Sequence, residues 1–242
     1  MKICITGAAS KVARKVIDVL AQRHELTLLD VQYPQNFFPD VRKVTGSVLD
    51  RKLMREVLNG QDAVIHMAIA HEDSFMTDEQ RWTVNVEGTL LVVQESAAAG
   101  IKKFIYTSSL SVLDGYDHLP EAPGAEEVEP KQNTFYGLTK HLGELMVKFY
   151  AEKHKIKSVV LRLVAVVAEN EDPAWLSRVS PIYRTSARDV AQAFQLALEK
   201  DLNSYCEIFH ISGGNPKRRW GHEKAKRVLG YEPLDTWEEK QP

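Results

Sequence analysis

A tyrosine and a lysine lie four residues apart in the stretch from Asn133 to Lys140, where the sequence predicts the start of a helix. This spacing places Tyr136 and Lys140 on one helical face, one turn apart. A free phenol titrates at about pH 10, but a neighbouring ammonium favours the phenolate and lowers the phenol pKa. The pair is therefore suited to exchanging a proton with a substrate hydroxyl or carbonyl. A plain surface helix can carry the same spacing, so the choice between a catalytic pair and a surface helix depends on the motifs in the rest of the chain.

The start of the chain has the pattern of a dinucleotide-binding unit. Lys2 to Thr6 predicts a strand, Gly7 opens a turn, a helix follows, and a second apolar run ends at Asp30. A glycine turn lets the backbone approach a pyrophosphate, and the following helix directs its N-terminal amides and positive dipole end at it. Asp30 is placed to accept hydrogen bonds from the ribose hydroxyls and to repel a 2′-phosphate. The pattern therefore favours NAD over NADP.

The glycine pattern of this turn is incomplete, since Ser10 and Ala13 stand where two further glycines are usual. Ala13 still allows close packing of helix and strand. Two roles are open for Ser10: its hydroxyl donates to a phosphate oxygen, or its side chain crowds the site. Lys11 either adds a phosphate contact or is solvated. A plain βαβ scaffold without a nucleotide remains the alternative for this segment.

Strands and helices alternate at short spacing along the rest of the chain. Further strands are predicted at Val41 to Thr45, Ala63 to Met67, Phe104 to Thr107, Ser158 to Val167 and Cys206 to Ile211, and helices at Arg51 to Leu58, Asp78 to Ala99, Thr134 to His154 and Ala187 to Glu199. This alternation predicts an α/β fold, a Rossmann-type doubly wound parallel sheet with helices on both faces. We expect one domain over residues 1–242, with a small C-terminal substrate lobe from about 164–186 and 212–242. An acidic loop broken by prolines, Asp114 to Gln132, precedes the Tyr136 helix.

Composition and charge exclude several classes of function. The 242 residues are 44% hydrophobic and carry a net charge of −2, which gives no electrostatic basis for binding nucleic acid or an anionic membrane. Cys4 and Cys206 lie in apolar runs and are expected to be buried thiols in a reducing compartment. No signal peptide and no apolar run of about 20 residues is apparent, so we expect a cytoplasmic protein without a membrane partner.

No metal is expected, because the histidines have no metal-ligand spacing. His71 and His118 are attributed to loop composition, and His66 lies within the strand predicted from Ala63 to Met67.

A series of motifs follows one another along nearly the whole chain: Thr6-Gly7-Ala8-Ala9, Asp30, His66-Met67-Ala68, Asn85-Val86-Glu87-Gly88-Thr89, Thr107-Ser108-Ser109, Tyr136-Gly137-Leu138-Thr139-Lys140 with Glu144, Leu161-Arg162, Ala187-Arg188-Asp189-Val190-Ala191 and Leu229-Gly230-Tyr231-Glu232-Pro233. In this order they resemble the extended short-chain dehydrogenase/reductase superfamily, in its NAD-dependent epimerase/dehydratase branch.

The resemblance implies a hydride-transfer enzyme. Tyr136 matches its acid/base, Lys140 the residue that lowers the phenol pKa and holds the nicotinamide ribose, and Ser109 the catalytic hydroxyl, with Ser108 as second choice. The implied NAD contacts are Gly7, Ser10, Lys11, Val12, Asp30, Val48, Ala68, Ile69, Asn85, Tyr136 and Lys140, of which Val48 lies near the adenine and Asn85 near the nicotinamide. Ser47 replaces an aspartate that usually contacts the adenine amine, a third departure in this region. The resemblance also implies a homodimer through the long helices Asp78 to Ala99 and Thr134 to His154.

The chain after Lys140 is short, about a hundred residues, which resembles the uronate-dehydrogenase type that oxidises free sugar acids. Leu110-Ser111 replaces the Asn-His of that type, and Leu163-Val164-Ala165-Val166 replaces a segment that contains a serine, so a less polar pocket is expected. Candidate anion contacts are Arg178, Arg184 and the Lys217-Arg218-Arg219 run, which is more often a solvated face. We expect an NAD-dependent oxidoreductase or epimerase acting on a sugar or sugar-acid hydroxyl. The alternatives are a nucleotide-sugar epimerase/dehydratase with a minimal lobe and a non-catalytic dinucleotide-binding regulator.

Overall fold

The computed structural model describes residues 1–71, 74–120, 122, 126, 128–168 and 171–237. The strands are β1 (Lys2–Thr6), β2 (Glu25–Asp30), β3 (Arg42–Thr45), β4 (Ala63–His66), β5 (Lys103–Ser109), β6 (Lys157–Leu163), β7 (Val166–Val167), β8 (Thr185–Ser186) and β9 (Cys206–Ile211). The α-helices are α1 (Lys11–Leu20), α2 (Arg51–Leu58), α3 (Asp78–Trp82), α4 (Gly88–Ala98), α5 (Phe135–His154), α6 (Pro173–Leu176), α7 (Ala187–Glu199) and α8 (Glu223–Leu229). None of the described helices has the length and apolarity to cross a bilayer.

In the described ranges, seven strands form one parallel sheet in the order β3-β2-β1-β4-β5-β6-β9. β1 and β4 are buried on both faces, as expected for the centre of a parallel sheet covered by helices. Their register pairs Thr6 with His66, so both strands end at the same edge. The strand order reverses between β1 and β4, and ligands of doubly wound sheets bind at such a switch point. The predicted α/β fold is confirmed.

Helices cover the sheet on both faces. α1, α7 and α8 pack one face around Ile17, Phe194 and Leu229, and α2, α4 and α5 pack the other around residues such as Met54 and Val147. A third, smaller apolar cluster joins the segments after β5 and β6 to the C-terminal region. Its buried members are Leu110, Val112, Leu113, Val164 and Trp220.

Two predicted elements are interrupted. The helix predicted from Asp78 to Ala99 is α3 and α4 joined by a π-helical turn over Thr83–Glu87. The strand predicted from Ser158 to Val167 leaves the main sheet at Leu163, because the next residues pair with another segment: β7 pairs with β8 in a separate two-stranded sheet. Hydrophobic periodicity does not reveal the π-helical turn or the end of the strand at Leu163, since both depend on contacts between residues that are distant in sequence.

The acidic loop that was predicted before α5 begins inside a 3₁₀ segment, Leu110–Tyr116. The N–H of Gly115 donates to the carbonyl of Lys131 at 2.9 Å, and the N–H of Lys131 donates to the carbonyl of Val112 at 3.0 Å. The two ends of the loop are therefore tied together next to the start of α5. Residues 121, 123–125 and 127 of this loop lie outside the described ranges.

Candidate active site

The N-terminus of α5, which carries Tyr136, is fixed by two polar side chains. Thr134 caps the helix by accepting a hydrogen bond from the N–H of Gly137 at 3.0 Å. Asp114, in the 3₁₀ segment, accepts from the Thr134 hydroxyl at 2.7 Å and from the Thr134 N–H at 3.2 Å. At Gly137 a Cβ atom would come within 2.3 Å of the Ser111 carbonyl oxygen. The first turn of α5 is therefore held tightly against the segment that follows β5.

Tyr136 and Lys140 both lie on the buried face of α5 and are 7% and 3% exposed. The Lys140 Nζ atom lies 4.6 Å from the ring centroid of Tyr106 on β5 and makes no hydrogen bond to another described residue. Burial lowers the pKa of Lys140 to about 7, and the Glu144 carboxylate, one turn further along the helix, opposes this by raising it. The pKa of the Lys140 ammonium therefore lies close to neutral pH, and its N–H groups are available to donate to a ribose hydroxyl.

The imidazole of His71 lies beside the predicted acid/base, although the sequence attributed it to loop composition. The ring centroids of His71 and Tyr136 are 5.1 Å apart and the rings are tilted by 53°. The His71 carbonyl accepts hydrogen bonds from the Ser74 N–H at 3.0 Å and from Arg81 Nε at 3.4 Å, so its backbone is held in place. No motif signals this contact, because it joins two segments that are far apart in the chain.

The two serines at the end of β5 have different partners. Ser109 is partly exposed, and its hydroxyl donates to the Ser111 hydroxyl at 3.0 Å and accepts from the Ser111 N–H at 3.1 Å. Ser108 is buried and donates to Oε1 of Glu144 at 2.6 Å. Successive side chains of a strand point to opposite faces, which separates the two hydroxyls. The Ser108 hydroxyl is therefore committed to an interior carboxylate, which favours Ser109 as the hydroxyl on the substrate side.

Asn85 lies in the π-helical turn, a feature that is frequent at functional sites. Its Oδ1 accepts from the Ala70 N–H at 2.7 Å, and its Nδ2 donates to the Ala70 carbonyl at 3.1 Å and to Thr139 Oγ1 at 3.1 Å. Thr139 in turn donates to the Tyr136 carbonyl at 2.8 Å. Asn85 therefore fastens the loop after β4 to the helix that carries Tyr136.

The turn after β1 has the shape that a close backbone approach requires. Gly7 adopts a φ of +68°, and a Cβ atom there would lie 2.4 Å from the backbone nitrogen of Ala68. Ala68 and Ile69 are partly exposed next to it. Ser10 caps α1, its Oγ accepting from the Ala13 N–H at 3.2 Å. This capping role was not among the predicted ones, and it leaves the Ser10 O–H available as a donor at the helix N-terminus.

Asp30 ends β2 and faces the glycine turn. Its Oδ2 accepts from the Ala9 N–H at 2.8 Å and its Oδ1 from the Val31 N–H at 2.7 Å. Each carboxylate oxygen keeps a second acceptor site for a ribose hydroxyl. A turn that admits close approach, a helix N-terminus behind it and a carboxylate at the end of the next strand together fit a dinucleotide without a 2′-phosphate.

The remaining predicted cofactor contacts are placed around this turn. The Lys11 side chain is 71% exposed, and its Nζ pairs with Oε1 of Glu171 at 2.9 Å, in the C-terminal part of the chain. Val12 is partly buried against the core. Val48 is buried, and a Cβ atom at Gly88 would come within 3.0 Å of it, so Gly88 lets the π-helical turn approach the segment after β3.

Most of the candidate anion contacts are occupied by the protein itself. Arg184 donates to the carbonyls of Leu176 and Val179, Arg218 pairs with Glu223, and Arg219 donates to the Tyr116 carbonyl. The basic run is thus partly built into the C-terminal region, contrary to the expectation of a solvated face. Arg178 is exposed and uses its Nε atom on the Ala174 carbonyl at 3.1 Å. In the part of the chain that the structure describes, its two terminal nitrogens have no partner.

Residues 3–224 match the sequence profile of the NAD dependent epimerase/dehydratase family. The chain therefore belongs to this family, as the motifs predicted. It is an NAD-dependent enzyme of the dehydrogenase and epimerase class, which confirms the predicted cofactor and enzyme class. Two curated relatives are an L-arabinose 1-dehydrogenase (NAD(P)(+)) from Haloferax volcanii, 26% identical over 97% of both chains, and a uronate dehydrogenase from Pseudomonas syringae pv. tomato, 23% identical over 98% of this chain and 83% of the relative.

Solved structures agree on the fold. The uronate dehydrogenase from Agrobacterium tumefaciens superposes with a TM-score of 0.81 at 22% identity, over 97% of this chain and 85% of that one. A UDP-glucose 4-epimerase from Thermotoga maritima, solved with UDP-glucose, superposes with a TM-score of 0.82 at 22% identity, over 97% and 94%. At this level of identity the likeness establishes the architecture and leaves the choice of substrate to the site itself.

Proposed function

We propose that the protein oxidises a hydroxyl of a free sugar or sugar acid, with Tyr136 as the base. The observation that carries the proposal is the buried pair of Tyr136 and Lys140, whose ammonium lies one turn from the phenol and near its own titration point. The ammonium favours the phenolate, which takes the substrate hydroxyl proton, while Ser109 donates a hydrogen bond to the same oxygen. NAD, when bound, supplies the nicotinamide ring that accepts the hydride.

The proposed cofactor contacts divide into two groups. Gly7, Ser10, Lys11 and Val12 serve the pyrophosphate from the turn and the start of α1, and Asp30 and Val48 serve the adenosine. Ala68, Ile69 and Lys140 serve the nicotinamide half. Asn85 holds the loop after β4 against α5. The Lys11–Glu171 ion pair means that a phosphate contact by Lys11 requires the lysine to exchange or share its carboxylate partner.

One observation supports a sugar or sugar acid as substrate, and a second indicates a less polar pocket than that of the uronate-dehydrogenase type. Relatives that act on arabinose and uronates align over nearly the full chain. The buried side chains of Leu110 and Val164, which replace polar positions of the uronate-dehydrogenase type, pack with Trp220 instead of forming a polar wall. Of the candidate anion contacts in the described part of the chain, Arg178 is the one that we assign to a carboxylate, because its terminal nitrogens are not used there. The segments 164–186 and 212–242 form the proposed substrate lobe, of which residues 169–170 and 238–242 lie outside the described ranges.

The test is a screen for NADH formation over free sugars, uronates and nucleotide-sugars, followed by Tyr136→Phe. We expect turnover of a free sugar or uronate, and a loss of kcat by about 10²-fold or more in Tyr136→Phe. Tyr150→Phe, on the same helix, is the matched control and should retain activity. Full turnover by Tyr136→Phe would refute the mechanism, turnover of nucleotide-sugars alone would indicate the epimerase/dehydratase class, and tight NAD binding without any turnover would indicate a regulator.

Arg178→Met tests the charge of the substrate. If the substrate is a uronate, the loss of a charged hydrogen bond should lower kcat/KM by roughly 10- to 100-fold for the uronate. The value for the matching neutral aldose should stay nearly constant. An equal effect on both sugars would exclude Arg178 as the carboxylate contact.

We also propose a homodimer in which a second copy covers an apolar surface of α3 and α5. Trp82, Leu138, Leu145 and Phe149 are exposed there, and large apolar side chains clustered on a surface mark contact sites. Light scattering should give twice the monomer mass for the wild type and the monomer mass for Phe149→Glu. Leu234→Glu, an equally exposed apolar position elsewhere, is the control and should remain dimeric. A monomeric wild type would refute the proposal.

The unpaired Cys4 and Cys206 support a cytoplasmic location.

A further inference from the structure

A buried carboxylate continues the line of Tyr136 and Lys140 along α5. Glu144 follows Lys140 by four residues, as Lys140 follows Tyr136, so the three side chains lie on one helical face. Glu144 is only 3% exposed, and the proposed proton transfer does not use it directly. A carboxylate is costly to bury unless it is paired and hydrogen-bonded, so its surroundings need an explanation.

Three donors hold the Glu144 carboxylate in one position. Arg162 on β6 binds it with both ends of its guanidinium, Nε to Oε1 at 2.9 Å and Nη2 to Oε2 at 2.8 Å. Ser108 on β5 donates to Oε1 at 2.6 Å. Arg162 is itself only 1% exposed. Such a bidentate pair fixes geometry as well as charge, so the carboxylate stays one turn from Lys140.

Among the described residues, the histidine, tyrosine and cysteine side chains that interact with Lys140, Glu144 or Arg162 are neutral around pH 7, whereas Lys148 and Lys224 add positive charges next to Cys206 and His210. Burial lowers the pKa of His66 on β4 and of His210 on β9 to about 3, and it also lowers the pKa of His141 on α5. Burial raises the pKa of Tyr106 on β5, and it raises that of Cys206 on β9 to about 12. Glu126, on the acidic loop, also contacts this cluster. Its carbonyl accepts from Arg162 Nη1 at 3.4 Å, and its carboxylate accepts from the N–H of His210 at 3.4 Å.

We infer that Glu144 is a positioning residue for the proton transfer: its charge keeps Lys140 in the ammonium form beside Tyr136, and Arg162 and Ser108 hold it in place. The inference rests on the proposed function of Tyr136 as base. It also assigns Ser108 a role in supporting the site, separate from the substrate-side role of Ser109.

The inference predicts a specific change in the pH dependence of turnover. When the pair of Tyr136 and Lys140 loses one proton, the productive form keeps the ammonium and has a phenolate, and the unproductive form has a neutral amine and a phenol. Glu144 is one turn from Lys140 and two turns from Tyr136, so its charge favours the productive form. Without that charge, Lys140 loses its proton more readily. The pair then titrates at lower pH, and the plateau of kcat at high pH falls.

The experiment is the pH–kcat profile of the oxidation by Glu144→Gln, which keeps the shape of the side chain and removes its charge. The Glu144 carboxylate raises the pKa of Lys140, and a nearby opposite charge shifts a pKa by about one unit or more. We therefore expect the midpoint to move about one pH unit to the acid side and the plateau to fall about tenfold. Ultraviolet difference spectra at high pH, referenced to Tyr136→Phe, should show less phenolate in the variant. This second readout does not depend on turnover.

The matched control is Glu95→Gln, which removes an equally buried carboxylate on α4 that pairs with Arg51 and Arg55, away from the site. It should lose stability and keep both the midpoint and the plateau. If Glu144→Gln does not fold, the double variant Glu144→Met/Arg162→Met removes both charges, a replacement that buried ion pairs often tolerate. It should show an acid shift in the same direction, smaller than that of Glu144→Gln because the positive charge of Arg162 is removed as well.

The outcomes separate this inference from the proposed function. A lower plateau with an unchanged midpoint and unchanged phenolate would mean a merely structural role for Glu144 and would overturn the inference. An unchanged profile would overturn it as well, while a loss of activity in Tyr136→Phe would leave the proposed function intact. Full activity of Tyr136→Phe would reject the proposed function first.

Discussion

Gly7→Ala perturbs the turn at which the nucleotide-binding half of the site begins. Two costs are expected. An alanine at a φ of +68° is in the left-handed region, which costs roughly 1–2 kcal/mol. Its Cβ atom would also lie 2.4–2.5 Å from backbone atoms of Met67 and Ala68, where carbon contacts need about 3.5 Å or more. Because these are backbone atoms, relief requires β1 and the segment after β4 to separate by about 1 Å.

That separation stretches the hydrogen bond from the Met67 N–H to the Thr6 carbonyl, now 3.0 Å. Overpacking of this kind adds roughly 1–3 kcal/mol. The expected loss for Gly7→Ala is therefore about 2–5 kcal/mol in the free energy of unfolding, measured by urea denaturation. Under conditions where the variant is folded, the KM for NAD should also rise, since the turn no longer admits a close backbone approach.

Gly60→Ala is the matched control, because Gly60 has a φ of +75° and no atom within 4 Å of a Cβ placed there. It should cost only the conformational part, roughly 1–2 kcal/mol, and leave the KM for NAD unchanged. The difference between the two variants isolates the close approach of Gly7 to Ala68. Equal losses of stability in both, with no change in the KM for NAD, would refute the steric argument.

Three further predictions concern cofactor choice, loop attachment and pH. Asp30→Asn should reduce the preference for NAD over NADP by about tenfold or more in kcat/KM, since it removes the repulsion of a 2′-phosphate, and an unchanged ratio would contradict this. Asn85→Ala should lower the free energy of unfolding by about 2–4 kcal/mol in urea, more than Thr139→Ala, because it leaves two buried backbone groups unpaired. His66 and His210 are buried with pKa values lowered to about 3. Stability should therefore fall as the pH drops from about 6.5, by up to about 1.4 kcal/mol per pH unit for each histidine, and His210→Gln should reduce this slope.

The parts of the structure that could be predicted are those encoded within one segment. Tyr136 and Lys140 lie on the same helix, so their spacing alone fixes their relation. The apolar runs of β1 and β4 predict central parallel strands, because both of their faces must be buried. The N-cap of α2 is equally local, since the Asp50 side chain accepts from the Leu53 N–H, three residues away.

The parts that could not be predicted join distant segments. The contact of His71 with Tyr136 and the binding of Glu144 by Arg162 depend on the register of strands and helices, which no local pattern encodes. An asparagine is unfavourable within a helix, so the sequence does carry a signal at Asn85. It could not show the π-helical turn, because the hydrogen bonds that hold Asn85 come from Ala70 and Thr139.

The two halves of the site are held together by different interactions, so we expect mutations in them to affect different kinetic parameters. The nucleotide half relies on the close backbone approach at Gly7 and on Asp30, so changes there should act mainly on the KM for NAD. The catalytic half relies on a buried network in which Glu144 supports Lys140, so changes there should act on kcat and on its pH dependence. Asn85 bonds to the loop of one half and to the helix of the other. Its removal should therefore alter both kinetic parameters together, as should a change at Lys140, which serves both the proton transfer and the nicotinamide ribose.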